Sequence, residues 1–112
     1  MIWTRIPTTA HVVALTFDAG ANGDGLPSIL ATLNSTGVRA SFFLTGTFAR
    51  TYPALAADIV EGGYRVGDHS TDHPYFTRLA NPQVDSEVLG AAQTIKAVGG
   101  DRFVLEPVFC IT

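Results

Sequence analysis

His11-Val12-Val13-Ala14-Leu15-Thr16-Phe17 is a near-continuous apolar run rich in β-branched residues, closed by Asp18. Such a run reads as a strand covered on both faces, the type found in parallel sheets. Ala19-Gly20-Ala21-Asn22-Gly23-Asp24-Gly25 then forms a turn-rich loop. Leu26, Ile29, Leu30 and Leu33 follow at helical spacing, with Asp24 as the expected cap, Pro27 in the first turn and Gly37 at the end. Ala40-Ser41-Phe42-Phe43-Leu44 reads as a second strand. A second helical region runs from about Phe48 to Glu61, with Leu55, Ile59 and Val60 inward, Pro53 opening its main part and Gly62-Gly63 stopping it.

Tyr64-Arg65-Val66-Gly67 is the third expected strand. Asn81-Pro82 starts a third helix, carried inward by Val84, Val88, Ala91, Ala92, Ile95 and Val98, with Asp85 and Glu87 near its positive end. Phe103-Val104-Leu105 is the expected fourth strand. Strands alternating with helices predict a small α/β domain with a parallel sheet. In such sheets, sites gather beyond the carboxyl ends of the strands. Asp18 lies at that end of the first strand, and Gly67-Asp68-His69-Ser70-Thr71-Asp72-His73-Pro74 begins at that end of the third.

Two of the three histidines, His69 and His73, lie in this segment four positions apart. Neutral imidazole is the commonest protein metal ligand, and two ligands on one short segment lose little loop entropy on binding. Pro74 biases His73 toward an extended backbone, so the segment reads as a tight loop. Asp68 and Asp72 flank the pair and are expected to orient the rings by accepting their second N–H. One carboxylate with two imidazoles suits a hydrolytic metal site. The cation lowers the pKa of its water and polarises a carbonyl, and Asp18 serves as base or as ligand.

The bulk numbers narrow the classes. The chain has 112 residues, enough for one small domain, and at 46% hydrophobic and 15% charged it is globular. A formal charge of −3 leaves no footprint for nucleic acid. No apolar run is long enough to span a bilayer. Met1-Ile2-Trp3-Thr4-Arg5-Ile6-Pro7 lacks the regions of a signal peptide. The single Cys110 forms no internal disulfide.

Thr16-Phe17-Asp18-Ala19-Gly20 resembles the first motif of the NodB-like polysaccharide deacetylases, carbohydrate esterase family 4, which usually reads Thr-Phe-Asp-Asp-Gly. His69-Ser70-Thr71-Asp72-His73 matches the second motif, His-(Ser/Thr)-x-x-His, and Ala40 to Gly46 resembles the strand between them. The resemblance runs from about Val12 to Val98. It implies a parallel-stranded, distorted (β/α) barrel of which this chain holds about the first half. It implies a metal-dependent hydrolase that removes acetyl groups from N-acetylated or O-acetylated glycans such as peptidoglycan or chitin. Asp18 falls on the catalytic base, and His69 and His73 on two ligands of a divalent metal, expected to be Zn2+. Ser70 falls on a hydroxyl position that braces the loop. The family setting is secreted or cell-envelope.

Two departures stand out. The family's second aspartate, usually a metal ligand, is Ala19; Asp24, Asp72 or water would have to substitute. No match to the third motif, Arg-x-Pro-Tyr, follows the last helix, so residues 1–112 read as a single domain incomplete from about 101. A partial sheet leaves open edges, through which self-association is expected. The alternative function is a non-catalytic remnant of the fold with weak or no metal binding. Two further alternatives are a phosphate-holding Gly20-to-Gly25 loop and a purely structural metal site.

Overall fold

The computed structural model describes residues 4–99. The fourth strand expected at 103–105, together with Trp3 and Cys110, lies outside the described residues. In chain order the elements are β1 (Thr16–Ala19), α1 (Leu26–Thr36), β2 (Ser41–Leu44), α2 (Gly46–Thr51), α3 (Pro53–Glu61), β3 (Arg65–Asp68), a 3-10 turn (Phe76–Arg78) and α4 (Asn81–Gly99). The three strands form one parallel sheet in the order β1-β2-β3. Ala19 aligns with Leu44, and Leu44 with Asp68. This register puts the carboxyl ends of all three strands at one mouth.

The first strand is shorter and later than its apolar run suggests. β2 offers only four residues of partner, and Ser41 N–H donating to the Leu15 carbonyl closes the ladder. Val12 and Val13 lie beyond it and are exposed, so the strand is not covered on both faces. The core forms instead around β2, where Phe42 and Leu44 are fully buried. Phe42 stacks on Phe17 at 5.1 Å and meets the Tyr64 ring edge-on at 5.6 Å.

The helices bury the faces their periodicity dictates. α1 turns in Leu26, Leu30 and Leu33 and ends at Gly37, whose φ of 69° favours glycine. Its cap is Gly25, with no side-chain bond; Asn22 Oδ1 instead accepts the Asp24 N–H. The second helical region divides into α2 and α3 at Pro53, which cannot donate the N–H a continuous helix would need. α3 buries Ile59, Val60 and also Ala56, while Leu55 packs at the margin. α4 anchors through Ala91 and Ile95. Its cap is Ala80 rather than Asn81: the Ala80 carbonyl accepts from Gln83 and Val84, and Gln83 Oε1 accepts the Ala80 N–H. Fully burying a side chain such as Ile95 contributes about 1.5–3 kcal/mol, which ties α4 to the core it shares with α2 and α3. Among the described residues no helix is long and apolar enough to cross a membrane.

Candidate metal and catalytic site

At the strand mouth lies a cleft of about 410 Å3, lined by Asp18, His69, Asp72 and His73 together with Thr45 and Thr47. The three residues singled out in the sequence therefore meet. Asp18 leaves β1 half exposed, and its Oδ2 stands 3.8 Å from Nε2 of the buried His69. The His69 and His73 rings lie 4.6 Å apart between centroids, inclined at 56°. Asp24 does not line the cleft, whereas Asp72 does.

The histidine loop is held by bonds from both sides. His69 N–H donates to the Leu44 carbonyl, extending the β2–β3 ladder by one residue. Gly46 and Thr47, in the first turn of α2, donate to the carbonyls of Ser70 and Thr71, each at 3.0 Å. A Cβ on Gly46 would lie 3.3 Å from the Cα atoms of Thr71 and Ala91, so its absence lets helix, loop and α4 come together. Ser70 Oγ accepts the His73 N–H at 3.0 Å, the bracing role expected for its hydroxyl.

His73 does not take the extended backbone expected before proline. Its φ is 57°, and that of Ser70 is 65°. Pro74 still disfavours right-handed helical backbone, and in the left-handed region His73 donates its N–H to Ser70 Oγ. Each such residue costs about 1–3 kcal/mol, so the surrounding bonds have to overdetermine the loop.

The flanking carboxylates do not orient the rings. Asp68, 3% exposed, accepts the Ser70 N–H through Oδ1 at 2.8 Å, and its Oδ2 is buried without a partner. Burial pushes the Asp68 carboxyl above its usual value; the Ser70 bond opposes this and the Glu87 charge adds to it. Asp72 Oδ1 accepts from Thr47 Oγ1 at 2.6 Å, and Arg50 in turn donates to Thr47 Oγ1.

Burial holds the His69 imidazole below its ordinary value; Asp18 opposes the shift and His73 adds to it. A neutral ring is the form that binds a cation. Donors about 2.0–2.2 Å from one ion lie within about 4.4 Å of each other, and the Asp18–His69 separation of 3.8 Å meets that limit. Among the described residues, however, no three His, Cys, Asp or Glu side chains already form a group that could hold a metal. The two imidazoles supply the donor chemistry of a cation site and Asp18 stands beside His69, without a preformed set of three ligands.

Sequence reasoning missed Thr45, Thr47 and Glu87. A Thr-Gly pair directly after a strand is an available cap signal, and Thr45 Oγ1 does accept the Phe48 N–H at 3.0 Å. Glu87 carries no local signal: it reaches Thr71 across 16 positions.

A profile of polysaccharide deacetylases matches residues 5–110, reaching into the tail that shows no third motif. A peptidoglycan-N-acetylglucosamine deacetylase of Listeria monocytogenes is 38% identical over 86 residues, covering 77% of this chain and 18% of its own length. A family 4 carbohydrate esterase from Bacillus anthracis superposes with a TM-score of 0.77 at 33% identity, over 81% of this chain and 44% of the other. A family 4 pseudoenzyme from Bacillus anthracis gives a TM-score of 0.80 at 27% identity, over 85% of this chain and 34% of the other. The chain thus spans less than half the length of each. The sheet and helices correspond to part of the NodB-type (β/α) barrel.

Proposed function

The chain belongs to the polysaccharide deacetylase family, and from this we propose that it carries the base and metal-binding part of a centre that removes acetyl groups from acetylated glycans. The substrates in this reading are N-acetylated or O-acetylated polymers such as peptidoglycan or chitin. The observation that carries it is the convergence of Asp18, His69 and His73 in one cleft.

A divalent cation bound there, Zn2+ in this reading, would lower the pKa of water to about 7 and polarise the acetyl carbonyl. His69, whose pKa burial lowers, and His73 beside it would supply the imidazole nitrogens that hold it. Asp18 takes the proton from the attacking water at its solvent-facing carboxylate. Hydroxide adds to the acyl carbon, the C–N or C–O bond breaks, and the proton passes to the leaving nitrogen or oxygen. The products are acetate and a free amine or hydroxyl.

One observation favours a second reading, a non-catalytic remnant. Ala19 stands where the family motif has a second aspartate, and a methyl group cannot coordinate. The likeness to a pseudoenzyme is in keeping with it. Acetate release from an N-acetylated chito-oligosaccharide, with Zn2+ added, separates the two. The deacetylase reading expects release by the wild type and a loss of about 10²–10⁴-fold in Asp18→Asn. No release from a Zn2+-loaded wild type would leave the remnant reading standing.

A further inference from the structure

We propose that Glu87 is the positioning residue of the histidine loop, holding His69 and His73 side by side from α4. Its Oε2 accepts two consecutive backbone N–H groups, from Thr71 at 3.0 Å and from Asp72 at 2.9 Å. Its own carbonyl accepts Thr71 Oγ1 at 2.9 Å. Thr71 and Asp72 are the middle of the His-x-x-x-His segment, so the clasp sits between the two imidazoles.

Successive N–H groups turned toward one point form a concavity suited to an anion, and the Glu87 carboxylate fills it. The lever is rigid. Glu87, Ala91 and Ile95 recur at four-residue spacing along one face of α4, and the last two are buried. The bonds are also complementary: α2 donates to the loop's carbonyls while Glu87 accepts its amides. With both sets in place, the left-handed Ser70 and His73 are fixed and the rings meet at 4.6 Å. Glu87 bonds to the backbone and the Thr71 hydroxyl of the loop, and acts on the imidazoles through it. The consequence for metal binding rests on the proposed ligand role of the two histidines.

The test uses the full chain and its Glu87→Ala and Glu87→Gln variants. Amide exchange at Thr71 and Asp72 and the nuclear Overhauser contact between the two imidazoles read the loop, and Co2+ titration by absorption reads its consequence. The wild type is expected to show protected amides and the ring contact. Glu87→Ala is expected to lose both and to weaken Co2+ binding by about ten- to hundredfold. Glu87→Gln, which keeps an acceptor oxygen, is expected to retain the ring contact and the wild-type Co2+ affinity. A Glu87→Ala protein that keeps the ring contact and the Co2+ affinity overturns the proposal, whatever its melting temperature. Should that variant not fold, unprotected Thr71 and Asp72 amides in the wild type overturn it, and protected amides with the ring contact in wild type and Glu87→Gln uphold it. If the wild type takes up no Co2+, the metal reading fails alone, and exchange and ring contact still decide the clasp.

Discussion

Asp18 and His69 meet at 3.8 Å although they come from strands that do not pair with each other. β1 and β3 flank β2, so their axes lie about 10 Å apart at normal strand spacing. The two side chains close that gap above the end of β2. The site is therefore a product of strand order as well as of residue type.

That proximity governs the His69 proton. Burial lowers the His69 pKa and the Asp18 carboxylate partly opposes the shift. In the metal-free chain His69 is expected to titrate below its ordinary 6.5. Asp18→Asn removes the opposing charge, so the titration moves lower still. Proton NMR of the imidazole checks both; an upward movement in Asp18→Asn contradicts the account.

The shifts of His69 and Asp68 make stability depend on pH in opposite senses. A histidine with a lowered folded pKa contributes stability that is full above its unfolded value and lost as pH falls through the folded one. Acidification below about 6.5 is therefore expected to weaken the metal-free chain through His69. Asp68 has the opposite sign. Its raised folded pKa gives stability present below 3.8 and lost as pH rises through the folded value.

Asp68→Asn keeps an acceptor for the Ser70 N–H and removes the buried charge. Its stability relative to the wild type is expected to be more favourable at pH 7 than near pH 3, because only the wild type loses stability as pH rises through the folded Asp68 value. Thermal melts at the two pH values test this. A stability difference that is the same at both contradicts it.

Thr45 couples the sheet to the cleft. Its hydroxyl caps α2 and its residue lines the site. Thr45→Ala is expected to cost about 0.5–2 kcal/mol, measured by urea unfolding. Because α2 donates to the carbonyls of Ser70 and Thr71, faster amide exchange at Gly46 and Thr47 should accompany the loss. Unchanged stability and exchange contradict the capping role.

The sequence made the parallel order of elements and the meeting of Asp18 with the histidines legible, because periodicity and strand polarity are local properties. It misplaced the start of β1, because an apolar run continues only while a neighbouring strand offers hydrogen bonds, and β2 is short. It assigned Asp68 and Asp72 to the rings because they are adjacent in the chain. The left-handed turns at Ser70 and His73 send those carboxylates to backbone and threonine partners instead. Glu87 reads in the sequence as a helix-dipole residue, since nothing within one turn marks a side chain that bonds to a loop sixteen positions away.

The proposed function requires His69 and His73 to bind one cation together. Calorimetric Zn2+ titration of the wild type and His69→Ala tests it most directly. One Zn2+ per wild-type chain is expected, with a loss of at least about tenfold in affinity when His69 is removed. Equal Zn2+ affinity in the two proteins would contradict it.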